Sequence, residues 1–233
     1  MNIAIIPARG ASKRIPKKNI KNFCGKPIIL WSIEEAIKSK CFEKIIVSTD
    51  DEEIANLVKS HGVDVPFMRP KELSDDYTET IPVIAHAIKQ HTKIHQSPTN
   101  VCCIYAAAPF IRAIDLQICL EKLENSTAEF TFPATSYAYP IQRSFRIRNN
   151  LRAEMFQPEY SNSRSQDLEE AYHDAGQFYW GKAEAFKQKK PIFSNSATPY
   201  ILPRYLVQDI DTIEDWKRAE LMYQVLIKNR ELG

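Results

Sequence analysis

Residues 1–20 read MNIAIIPARGASKRIPKKNI, and their order decides the fold. Ile3, Ala4, Ile5 and Ile6 form an apolar run that stops at Pro7. A short, uniformly apolar run bounded by a turn signal predicts a strand buried on both faces. Arg9, Ser12, Lys13, Arg14, Lys17 and Lys18 follow on a loop shaped by Pro7, Gly10 and Pro16. Ligands of open α/β sheets bind beyond the carboxyl ends of the strands. The cations therefore stand where a polyanion such as a nucleoside triphosphate would be held. The stretch is not G-x-x-x-x-G-K-[ST], and Gly10 stands alone, so no dinucleotide fingerprint is present. Rival readings are a solvated basic loop and a basic patch for nucleic acid.

Outward from this loop, apolar runs alternate with helical periodicity, which predicts an α/β fold with a mainly parallel central sheet flanked by helices. Helices are expected at 28–40, 51–61, 78–91 and 115–125, and a long amphipathic one from Thr212 with Ile213, Trp216, Ala219, Tyr223 and Leu226 as its apolar stripe. Strands are expected at 44–49, 63–67, 100–106, 129–134, 176–180, 200–202 and 205–210. Residues 137–172 break the pattern: they are rich in aromatic and charged side chains and show no clean period. So long an irregular stretch is unusual inside a compact domain. It reads as a lobe, at about 135–172, inserted into a single domain covering 1–233 and serving as dimer contact and partial lid.

The chain has 233 residues, 44% hydrophobic and 26% charged, an ordinary balance for a folded domain with a sizeable core. A net charge of +2 is too small to imply bulk nucleic-acid binding, so the basic residues matter only where they cluster. No apolar segment approaches bilayer length, and no secretory leader is visible, so no membrane partner and a cytoplasmic location are expected. Five scattered cysteines without a C-x-x-C pair read as free thiols.

Asp209-Ile-Asp211 is the second strong feature. On a strand, residues two apart share a face, so both carboxylates would converge on one cation. Mg²⁺ suits such a pair, since it takes one or two carboxylates together with substrate phosphates. The competing reading makes Asp211 the cap of the last helix, through Asp211-Thr-Ile-Glu214. Arg69 and the threonines Thr78 and Thr80 lie in a strand-to-helix connection at the same edge, where an ordinary capped loop is the default. His91 and His95 read as a solvated pair and Lys187–Lys190 as a solvated turn.

Ala8-Arg9-Gly10-Ala11-Ser12-Lys13, Pro16-Lys17-Lys18-Asn19, the Arg69-Pro-x-Glu-Leu segment and the terminal Asp209-x-Asp211-Thr-x-Glu-Asp together resemble the CMP-sialic acid synthetase family, cytidylyltransferases that activate nonulosonic acids. The resemblance runs in order through essentially the whole chain. It implies a nucleotide-diphospho-sugar transferase fold, a homodimer and a Mg²⁺-dependent reaction of CTP with a nonulosonic acid, releasing pyrophosphate. It assigns the nucleotide to Arg9, Gly10, Ser12, Lys18, Asn19, Arg69 and Thr80, the metal to Asp209 and Asp211, and catalysis to Arg9, Lys18 and Asp211. Two departures narrow it. Tyr105-Ala-Ala-Ala-Pro-Phe-Ile-Arg112 stands where relatives carry Q-P-T-S-P-L-R, and Ala175–Gly181 where they carry an N-G-A-I-Y-type strand. These resemble the pseudaminic acid branch, which supplies bacterial surface glycans and flagellin. Its less hydroxylated sugar suits a more apolar wall. Tyr105, Gln142, Arg143, Gln177 and Tyr179 are the corresponding sugar-binding candidates. Sialic, legionaminic and KDO-type acids are alternative substrates, and a non-catalytic nucleotide- or RNA-binding protein is the alternative of another class.

Overall fold

A computed structural model describes residues 1–229. In chain order its strands are β1 (Asn2–Pro7), β2 (Asn22–Phe23), β3 (Lys26–Pro27), β4 (Lys44–Ser48), β5 (Asn100–Ile104), β6 (Phe130–Ser136), β7 (Phe145–Ile147), β8 (Ala153–Met155), β9 (Tyr172–Asp174), β10 (Phe178–Lys182) and β11 (Ala197–Ile201). The helices are α1 (Ile28–Ser39), α2 (Glu52–Ser60), α3 (Thr80–Thr92), α4 (Ala113–Glu124), α5 (Ala183–Lys187) and α6 (Ile213–Lys228).

The main sheet runs β11-β6-β10-β5-β1-β4, with β9 added to β6. The pairings β1–β4, β1–β5 and β11–β6 are parallel, whereas β10 runs against both its neighbours. The sheet is mixed around a mostly parallel core. Ile3 and Ile5 face one apolar layer while Ala4 and Ile6 face the other, so β1 is buried on both faces as its composition requires.

A third apolar cluster decides where the site forms. Trp216, Ala219, Tyr223 and Leu226 of α6 pack on Ile15, Phe23, Ile28 and Phe110. The Phe23 ring meets Trp216 and Tyr223 edge-on at 5.4 Å. This cluster fastens the terminal segment to the basic loop. Ile213 is left off it, 43% exposed, which corrects the expected apolar stripe.

Two expected strands are absent. Residues 63–67 form no ladder with β4: Asp64 makes a single isolated bridge to Ile46, and Pro66 within the run has no amide hydrogen to extend it. Residues 204–206 form a tight turn, and 207–210 continue it as backbone outside any strand. Leu206 and Ile210, both 1% exposed, are spaced by four rather than two, so the segment buries two anchors without alternating faces. His91 is buried and stacks near His95, ring centroids 4.8 Å apart, which corrects the solvated pair.

Residues 137–172 carry β7 and β8 as a separate two-stranded ribbon plus short turns. Glu154 receives Arg146 and Arg148 across this ribbon, which holds its carboxyl down at about 2. Phe145, Ile147, Leu151 and Phe156 are each more than half exposed there. Among the described residues no helix is long and apolar enough to cross a membrane.

Candidate active site

The basic loop and the segments that end the neighbouring strands enclose a cavity of about 280 Å³. Arg9, Lys18 and Asn19 enter it from the first loop, Arg69 and Thr80 from the approach to α3, and Tyr105 from the end of β5. Asp209 closes it from the terminal segment. Most of the residues expected at a nucleotide thus meet in one place. Ser12 does not line it, and neither does Gly10.

Each cation is held by a specific partner. Arg9 donates through Nη1 to the Asp75 carbonyl at 2.7 Å and pairs with Asp76 at 3.1 Å. Arg69, only 6% exposed, donates from Nε to Ser74 Oγ and lies 3.5 Å from Asp50. Burial lowers its pKa, and Asp50 works against that shift. Asn19 donates to the Arg9 carbonyl at 2.9 Å, and so shapes the loop. Gly10 acts through its missing side chain: a Cβ there would collide with the Asp51 carboxylate. Its amide meanwhile donates to Asp50 at 3.1 Å.

Lys18 joins the two ends of the chain. Its ammonium donates to the Ile210 carbonyl at 2.8 Å and lies 3.6 Å from Asp211, which Arg14 also approaches at 2.9 Å. Asp211 is not the helix cap. Thr212 caps α6, in a reciprocal box with Asp215. The capping duty that competed for Asp211 belongs to its neighbour, so its carboxylate is free to face the loop.

Asp209 lines both this cavity and a second one of about 840 Å³, and Gly176 is the other residue they share. Gly176 has φ of 63°, and a Cβ on it would come within 3.3 Å of Asp209 Cγ. Asp209 reaches solvent at this junction, yet the cavity walls crowd it, and that crowding followed by the charge of Asp211 raises its pKa. The second cavity is lined by Thr135, His173, Asp174 and Arg204, and by Asp211.

The sugar-binding candidates divide. Tyr105 lines the first cavity, and its hydroxyl lies 3.4 Å from Thr80 Oγ1. Burial pushes the Tyr105 phenol up to about 12. Tyr179 is buried beneath both cavities' walls and donates to Asp174. Gln177 is buried with its amide on the Leu206 carbonyl, so it anchors the terminal turn. Gln142 and Arg143 lie on the lobe, bonded to Glu169 and Ser165, and line neither cavity. Sequence reasoning missed Asp50, Asp76 and Asp174. Asp174 ends a strand, the one signal that could have flagged it.

Among the described residues no cluster of three or more His, Cys, Asp or Glu is arranged to hold a metal by itself. Asp209 and Asp211 nevertheless fit Mg²⁺. They are two hard oxygen donors whose mutual repulsion a cation would relieve, and both line the larger cavity.

A strand-end cavity with opposed cations and carboxylates on an α/β sheet defines a nucleotidyltransferase. A family model described as cytidylyltransferase matches residues 3–228, and the chain belongs to that family. It is 45% identical over 224 residues to the pseudaminic acid cytidylyltransferase of Campylobacter jejuni, covering 96% of this chain and 97% of that one. It is 28% identical to the CMP-N,N'-diacetyllegionaminic acid synthase of Legionella pneumophila, covering 96% of each. In structure it is similar to CMP:2-keto-3-deoxy-manno-octonic acid synthetase complexed with CTP, with a TM-score of 0.68, 16% identity, and 97% and 99% of the two chains covered. That likeness supports the transferase fold.

Proposed function

We propose that this chain joins CTP to pseudaminic acid, forming CMP-pseudaminic acid and pyrophosphate. The observation that carries the reading is the meeting, at Lys18, of the cationic first loop with Asp211 beside a cavity pair that shares Asp209. The anomeric hydroxyl of the sugar attacks the α-phosphorus of CTP, and the bond to the β-phosphate oxygen breaks. Such a reaction is accelerated by positioning and charge neutralisation more than by covalent chemistry.

The smaller cavity takes the triphosphate, with Arg9, Lys18 and Arg69 offsetting its charge and Thr80 and Asn19 shaping its walls. Ser12 and Gly10 set the loop's path. Asp209 and Asp211 would hold Mg²⁺, which when bound supplies positive charge to the phosphates. The larger cavity takes the sugar acid. Arg204 and His173 are there to meet its carboxylate, with Tyr105 at the boundary between the substrates. Identity to the Campylobacter enzyme well above that to the legionaminic acid synthase supports pseudaminic acid as the sugar.

The exposed apolar side chains of residues 137–172 support a homodimer made through the lobe. Five free cysteines fit a cytoplasmic site of action. Pyrophosphate release from CTP, with and without Mg²⁺, across pseudaminic, legionaminic, sialic and KDO acids tests the reading. Release is expected with pseudaminic acid and Mg²⁺. Release only with another acid overturns the substrate, and none with any acid overturns the reaction.

A further inference from the structure

A third cavity, of about 680 Å³, opens on the far side of α3 from the nucleotide cavity. Leu73, Pro82 and Ala85 make its floor apolar, and Lys89, Lys93, Lys187 and Lys189 stand around it. Lys187 pairs with Glu184 and bonds Ser97, and Lys93 bonds Gln90, but the ammonium groups of Lys89 and Lys189 have no partner among the described residues. Lys189 occupies the left-handed turn that ends α5, at φ of 53°, where glycine is the usual residue. That turn sets its ammonium-bearing chain at the cavity. His86 also lines it; Nε2 is bonded to Gln90, while Nδ1 is buried with no partner. An apolar floor ringed by two unpaired ammonium groups matches a ligand with an apolar body and an anionic end.

We propose that this cavity binds a small organic anion, an apolar body carrying a phosphate or carboxylate, and that its occupancy changes the affinity of the nucleotide cavity. The second half rests on the CTP reading given above. Two contacts connect the sites. Leu73 lines both cavities. Helix α3 turns Thr80 and Val83 to one and Pro82, Ala85 and His86 to the other. Leu73 also belongs to the turn between Arg69 and the Asp75–Asp76 pair that holds Arg9, so displacement of its side chain reaches both arginines.

Phenyl phosphate is the probe, with inorganic phosphate and phenol as its two halves, titrated calorimetrically into the full chain held at saturating CTP without sugar acid. Saturation at one site per chain is expected, at least tenfold tighter than either half, with a shift of the His86 imidazole resonances. Lys89→Ala and Lys189→Gly, combined, are expected to weaken it at least fivefold. Glycine fits the Lys189 turn, so this pair keeps the fold. Equal affinity for phenyl and inorganic phosphate, or no effect of the two substitutions, overturns the site. Coupling is read by titrating CTP alone with and without the probe: a change of at least threefold is expected in the native chain and none in the double variant. Binding of the probe without that change overturns the coupling. Failure of CTP itself to bind is the distinct result that removes the nucleotide reading while leaving the probe titration interpretable.

Discussion

The Tyr179 hydroxyl donates to Asp174 Oδ2 at 2.5 Å, and the same oxygen accepts the Gly176 amide at 3.1 Å. One carboxylate oxygen thereby fixes the turn that lies between the two cavities. Tyr105 meets Tyr179 edge-on at 5.6 Å, so the two tyrosines lead from the Thr80 side of the nucleotide cavity to the Asp174 side of the sugar cavity. Replacing Tyr179 with Phe removes a hydrogen bond to a charged group, worth about 1.5–3 kcal/mol. The expected result is a rise of roughly tenfold in KM for the sugar acid with KM for CTP little changed. Steady-state kinetics with each substrate varied in turn reads that split.

Asp209 holds its proton more tightly in the folded chain than in the unfolded one. A raised carboxyl pKa adds stability below the unfolded value, and that stability is lost as pH rises through the folded value. Asp209→Asn is therefore expected to melt higher than the native chain at pH 7 without Mg²⁺, with the difference vanishing toward pH ~4, near the ordinary aspartate pKa. Turnover is expected to drop by about a hundredfold or more, the scale seen when charge stabilisation is removed. Thermal melts across pH, beside turnover at pH 7, check both signs.

Asp211 and Thr212 separate chemistry from capping. Thr212→Ala removes the α6 cap and is expected to cost about 1 kcal/mol of stability. Its kcat should remain within about twofold, since Thr212 itself lines neither cavity. Asp211→Asn breaks only accessible ion pairs, each worth about 0–1 kcal/mol, yet should abolish most turnover. Equal loss of turnover in both variants would return Asp211 to a role in folding α6.

Charge on the lobe should break the proposed dimer. Phe145 and Ile147 are 56% and 70% exposed on a ribbon outside the main sheet. Phe145→Glu with Ile147→Glu is expected to shift sedimentation from dimer to monomer with little change in melting of the core. An unchanged sedimentation coefficient counts against the lobe as the contact.

The parts of the fold that were legible in the sequence are those where burial imposes a period. Ile3–Ile6 and residues 100–104 read as strands because both faces are covered, and α6 read as a helix because Trp216, Ala219, Tyr223 and Leu226 repeat on one stripe. Residues 205–210 misled because Leu206 and Ile210 are anchors of a crossing segment, which has no period. Asp209 and Asp211 come to the same loop by the path of that segment and not by strand alternation. Asp50 and Asp76 were illegible for another reason. Their importance lies in which arginine they hold, and pairing across 19 or 67 residues leaves no local trace.

The lobe leaves and rejoins the domain at almost one point. The Tyr137 amide donates to the Ala171 carbonyl at 3.0 Å, and β9 then pairs straight back onto β6. A loop whose base is already closed adds closure entropy only slowly, about 0.6 kcal/mol for each doubling of its length. Its contents can therefore be lengthened, trimmed or exchanged with little disturbance to the sheet beneath. The proposed dimer surface is in this sense a detachable cassette, free to diverge while the sheet under it stays put.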